Sequence, residues 1–138
     1  MLRAIALSSI LLAASSAASA ADLRVKVIGI QAHTGTVSML VVDSDAAWNG
    51  KGKPVTGRHA KVSGETLDID FADLKPGKYA IRLMHDENDN GKLDTNLVGM
   101  PTEGYGFSNN PRVMRAAHFD EAVFELPAEG AAITIVMR

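Results

Sequence analysis

The feature that most restricts the fold of this chain is a two-residue period of apolar side chains, repeated in short runs. Leu23, Val25 and Val27 alternate with Arg24 and Lys26. Val37, Met39 and Val41 face one way, with Leu40 and Val42 on the other side. Leu67, Ile69 and Phe71 alternate with Thr66, Asp68 and Asp70, and Tyr79, Ile81, Leu83 and His85 share one parity. Ala122, Phe124 and Leu126 repeat the pattern, and Ile133, Ile135 and Met137 close it. An extended backbone turns successive side chains to opposite faces, so each run predicts a half-buried strand. Thr34-Gly35, Ser63-Gly64, Leu74-Lys75-Pro76-Gly77 and residues 127–130 supply turn residues between runs. Shorter strands are expected at residues 60–63 and, at an edge, around Val113 and Met114. A loop spans residues 43–57, with a helical turn near Ala46 and Trp48. No segment sustains a period of 3.6. The pattern predicts an all-β fold: an antiparallel β-sandwich of about seven strands, with Greek-key connections of the immunoglobulin kind.

The first twenty residues read as something else. Met1, Leu2 and Arg3 make a short basic start, residues 4–12 are apolar, and Ala18-Ser19-Ala20 fits a cleavage site. This is the layout of a secretory signal peptide, with residues 21–138 forming a single domain. The apolar run is too short for a membrane span, and no longer one follows. An exported protein, periplasmic or extracellular, is expected. It has no cysteine, so packing and backbone pairing must hold it without disulfides. Its 14 Lys and Arg against 16 Asp and Glu give no reason to expect nucleic acid as a partner. An envelope protein or a glycan is the expected partner class.

One stretch breaks the strand pattern. Residues 85–110 are polar and rich in Gly and Asn, beginning Asp86-x-Asn88-x-Asn90-Gly91-x-x-Asp94. Oxygen-bearing side chains at alternate positions, then a glycine for a sharp reversal, then a carboxylate, are how a loop wraps a hard cation. Asp86, Asn88, Asn90 and Asp94 would supply side-chain oxygens to calcium, and Lys92 its carbonyl. The twelfth position of such a loop takes a bidentate carboxylate; here it is Leu97, so Asn96 or Glu103 would have to fold back. The competing reading is an Asx-rich turn that needs no ion.

The run Glu103-Gly104-Tyr105-Gly106-Phe107-Ser108 follows. With His85 it reads as a ligand platform, or as aromatic plugs at the end of the sandwich. His85 and Glu103 are also the residues on which a small hydrolase or isomerase would rest. His33, His59 and His118 are scattered without zinc spacing, and Ser108 lies in no hydrolase elbow. Trp48 is either an exposed contact or a lid on the core. A small apolar ligand carrier would require a cavity between the sheets.

From Tyr79-Ala80-Ile81 through His85-Asp86-Glu87-Asn88 to Gly104-Tyr105-Gly106-Phe107-Ser108-Asn109-Asn110, the chain resembles domain-of-unknown-function family 2141, a group of small exported bacterial proteins. The likeness spans residues 23–138 and implies membership without an activity. Leu74-x-Pro76-Gly77-x-Tyr79, followed by the Asp/Asn/Gly loop, is similar to transthyretin-like and surface-protein B-type sandwiches. Those are mostly stalk, adhesion or accessory modules, some with calcium at comparable loops. A urate-pathway hydrolase shares the transthyretin-like fold, but its C-terminal Tyr-Arg-Gly-Ser and its histidine pattern are missing here.

Overall fold

A computed structural model describes residues 19–138. The signal peptide read at residues 1–20 lies outside the described residues, apart from its last two.

The alternating run at the start becomes β1 (Ala21–Ile28), in which Ala21, Leu23, Val25 and Val27 are buried and Arg24 and Lys26 exposed. It is the middle strand of a three-stranded sheet. On one side it pairs antiparallel with β4 (Thr66–Leu74). On the other it pairs with β8 (Ala131–Val136), and this pair is parallel, Leu23 opposite Ala131 and Ile28 opposite Val136. Among the described residues the sandwich is therefore antiparallel in every strand pair but one. Parallel neighbours need a long crossover. Here almost the whole chain is that crossover, which no local sequence signal announces.

The larger sheet has the order β3 (Thr56–Lys61), β2 (Thr36–Val42), β5 (Gly77–Asp86), β6 (Tyr105–Phe107). A further short strand, β7 (Phe124–Leu126), pairs with the start of β5. Strand β3 begins inside the expected loop and covers residues 56–61 rather than 60–63. It is an edge strand without apolar alternation, so its place comes from pairing with β2. Val113 and Met114 form no strand; the edge is taken by β6, whose Phe107, Gly106 and Tyr105 pair with Arg82, Leu83 and Met84. The expected turn after β2 is α1 (Asp45–Trp48), capped by the Ser44 hydroxyl, which accepts the Ala47 N–H at 3.3 Å. Ala122 ends a second short helix, α2 (Phe119–Ala122), and so is not part of a strand.

Between the sheets Leu23, Val25 and Val27 meet Phe71, Val37, Met39, Ile81 and Ile135 in one continuous apolar cluster. A second, smaller cluster sits on the outer face of the larger sheet. There Val42 and Ala80 are covered by Ala47 and Trp48 of α1, by Ala117, and by Ala122 of α2. Trp48 is a lid on this outer core: it is buried, and its Nε1 donates to the Ala117 carbonyl at 2.9 Å. The two sheets are also tied at an edge, where Tyr105 and Arg138 exchange backbone hydrogen bonds of 3.0 and 2.9 Å. Among the described residues no helix is long and apolar enough to cross a membrane.

Candidate functional site

The long loop leaves the end of β5 and is folded onto itself by its own side chains. Asp86, buried at the strand's end, accepts the Asn90 N–H on one oxygen at 2.9 Å and the Gly91 N–H on the other at 2.6 Å. Gly91 has φ 85°, the left-handed backbone that lets the chain reverse there. Asn88 and Asn90 repeat this on a smaller scale: their amide oxygens accept the N–H groups of Asn90 and Lys92, each at 3.1 Å. Their amide nitrogens both point at Asp94, Asn88 at 2.7 Å and Asn90 at 2.8 and 2.9 Å to the two oxygens. These donors, Asn90 first and then Asn88, hold the Asp94 carboxyl below its usual range. The four oxygen-bearing residues picked from spacing are neighbours, but Asn88 and Asn90 turn amide nitrogens rather than oxygens to Asp94, and Lys92 takes part through its N–H rather than its carbonyl.

Glu103 closes the loop from the other end. It is buried, and its two oxygens accept the N–H of Glu87 at 3.0 Å and of Asp94 at 2.8 Å. The carboxylate thus spans the loop's entrance and exit, and Leu97, at the twelfth position, is fully exposed. Asp89 anchors the outside. It accepts from the Thr36 hydroxyl at 2.6 Å and the Lys61 ammonium at 2.7 Å, and Lys61 first, then Thr36, pull its carboxyl down. Gly35, at φ 77°, lets the preceding turn press against this corner; a Cβ there would overlap the Asp86 carbonyl oxygen.

His85 is 1% exposed, and its Nε2 lies 2.7 Å from the Thr34 carbonyl oxygen, the geometry of a donated hydrogen bond. Nδ1 stands 3.9 Å from Glu87 Oε1. His85 and Glu103 border one small pocket of about 170 Å³ with Tyr105 and Arg138. With both Glu103 oxygens committed to the backbone and Nε2 committed to Thr34, the pair acts as a fastening. His59 bonds Ser38 across the sheet edge, and His118 starts α2. Among the described residues no three His, Cys, Asp or Glu side chains are grouped to hold a metal ion, so any cation at residues 86–94 would rely on amide and carbonyl oxygens as well.

The expected platform is divided. Tyr105 and Phe107 lie on the outer face of the larger sheet, their rings 5.8 Å apart and edge to face, with Phe107 5.9 Å from Trp48. His85 has the opposite parity and points into the sandwich. Beside the two aromatics is a groove of about 490 Å³, floored by Leu40, Arg82 and Met84 and walled by Leu93, Met100 and Met114. This apolar groove lies outside the sheets, next to the outer core. Sequence reasoning missed it. The signal was present in β5, where Ala80 and Met84 put apolar side chains on the face opposite Ile81 and Leu83.

These features define a class: a small two-sheet β-sandwich with one long, internally bonded loop and a partly covered outer sheet face. The chain belongs to domain-of-unknown-function family 2141, described as an uncharacterized protein conserved in bacteria, whose profile matches residues 25–134. Comparisons with curated proteins and with solved structures found no match.

Proposed function

We propose that this protein is an exported, non-catalytic binding module of the bacterial periplasm or cell exterior. In this reading the loop at residues 86–94 takes up calcium, and the stiffened loop supports contact with an envelope protein or glycan. The observation that carries the reading is the convergence of Asn88 and Asn90 on Asp94, with Asp86 curled over the same turn. A carboxylate offers about four acceptor sites. Each Asp86 oxygen accepts one N–H here, so each keeps a lone pair for an ion. Turning the Asn88 and Asn90 amides over would present oxygen where nitrogen now meets Asp94, a change worth making only with a cation between them. Without a bidentate carboxylate the affinity should be that of a weak extracellular site, on the order of 10⁻³ M.

The test is thermal melting of the metal-stripped protein. At 10 mM calcium and a Kd of about 1 mM, linkage gives roughly 1.4 kcal/mol, a rise of about 5 °C for a domain of this size. Asp94→Asn keeps the shape of the side chain and removes its charge, and the rise should fall to about 1 °C or less. A melting curve indifferent to 10 mM calcium rejects the metal part of the proposal.

A further inference from the structure

The outer face of the larger sheet is covered over only part of its area. Strand register places Leu40, Arg82 and Phe107 in one row across it, and Ser38, Met84 and Tyr105 in the next. The outer core under Trp48 covers Val42 and Ala80 beyond Arg82. Past it the face is half-buried, and the groove begins. Its walls carry apolar side chains that water would normally discourage: Met114 is 92% exposed and Met100 46%. Flexible thioethers of this kind adapt to apolar ligands of varied shape. A volume of about 490 Å³ falls within the range of small-molecule sites.

The charge of the groove is as informative as its apolarity. No Asp or Glu lines it. Of its two arginines, Arg115 is spent on Glu121, both terminal guanidinium nitrogens donating to the carboxylate at 2.8 and 2.9 Å. Arg82 is different. It donates to the Trp48 carbonyl at 2.8 Å and lies 5.9 Å from the Trp48 ring centre, yet among the described residues it has no carboxylate within ion-pairing distance. A guanidinium has five N–H donors, so this fixed cation has donors to spare at the edge of an apolar floor.

We infer that this groove binds a small amphiphilic carboxylate, one apolar chain lying over Met84, Tyr105 and Phe107 with its anionic head on Arg82. The chain removes apolar surface of Met100 and Met114 from water, and the head supplies the close carboxylate that Arg82 lacks among the described residues, Asp45 and Asp120 bordering the adjoining hollow without pairing with it. The inference goes beyond the calcium reading. It is tested on metal-free protein, so the failure of either leaves the other standing.

The probe is sodium octanoate, compared with 1-octanol and octylammonium as neutral and cationic counterparts of equal length. The full-length chain is labelled at its methionine methyl groups and titrated by NMR. Saturable shifts are expected at Met84, Met100 and Met114 and not at Met39, which is buried between the sheets. Octanoate should bind about ten-fold more tightly than octanol, and octylammonium more weakly than either. Met114→Glu alters an exposed side chain, so it should fold normally and weaken octanoate about ten-fold or more. Arg82→Gln should erase the preference for octanoate over octanol; if loss of the Trp48 contact unfolds it, the head-group series on the unaltered chain still decides the matter. Equal binding of octanoate and octanol, shifts that never saturate, or indifference to Met114→Glu would each overturn the inference. So would sedimentation showing that a second copy of the chain already buries Met114 at working concentration.

Discussion

Replacing Glu103 by Gln should destabilise the protein far more than so conservative a change suggests. The carboxylate accepts two backbone N–H groups, from Glu87 at 3.0 Å and from Asp94 at 2.8 Å, in a buried setting. Hydrogen bonds to a charged acceptor contribute about 1.5–3 kcal/mol each. A glutamine has one acceptor oxygen, so one bond survives as a neutral one. The other N–H then faces an NH₂ group, donor against donor, and turning the amide over only changes which N–H is abandoned. The expected loss is roughly 2–3 kcal/mol, and Glu103→Ala, which abandons both, should lose about 3–5 kcal/mol. The assay is urea unfolding, where a typical slope puts the midpoint for Glu103→Gln about 1–2 M lower. Hydrogen exchange supplies the local readout: the amide of Glu87 or Asp94 should exchange about 30-fold faster. A loss below about 0.5 kcal/mol with both amides still protected would refute the idea that one carboxylate fastens both ends of the loop.

Two further outcomes can be checked on other parts of the fold. The Glu121 carboxyl is lowered from 4.5 to about 2, first by the Arg115 guanidinium and then by the His118 N–H. A carboxyl depressed by folding stabilises fully above pH 4.5 and loses that contribution as the pH falls through about 2. NMR titration of Arg115→Ala should therefore show the Glu121 midpoint returning toward 4.5. Gly106→Ala would set a Cβ 2.8 Å from Ile135 Cγ2 and 3.2 Å from the Val136 carbonyl oxygen. It should cost about 1–3 kcal/mol by overpacking. Gly64→Ala meets nothing within 4 Å and should melt as the unaltered protein does.

The strands were legible where one face of the sheet meets the core and the other meets water. Leu23, Val25 and Val27 are such a case, and so are Leu67, Ile69 and Phe71. Reading failed where pairing outweighs side-chain pattern. Thr56–Lys61 has no alternation and is a strand because the β2 backbone beside it needs a partner. Tyr105-Gly106-Phe107 reads as a ligand platform or as aromatic plugs, but it is an edge strand, and its glycine is what lets that strand pass against Ile135 and Leu83. That Asp86, Asn88, Asn90 and Asp94 lie side by side was readable because their bonds are local, two to six residues apart; that both amides turn nitrogen to Asp94 was not. Glu103 as the clasp was harder to see, since its partners lie nine and sixteen residues earlier. The groove was harder still. Arg82 and Met114 are neighbours only in the folded molecule, and an exposed methionine in a sequence carries no mark of what it stands beside.

The parallel union of β1 with β8 has a consequence for how the molecule comes into being. The central strand of the smaller sheet, Ala21–Ile28, has as one of its two neighbours Ala131–Val136, and all the other described elements lie between the two in sequence. That sheet cannot be finished until the segments at residues 21–28 and 131–136 have found one another. Non-local closure of this kind is slow and comes late. The larger sheet, whose order β3-β2-β5-β6 needs neither β1 nor β8, therefore has the advantage in forming first, and the smaller sheet closes over it.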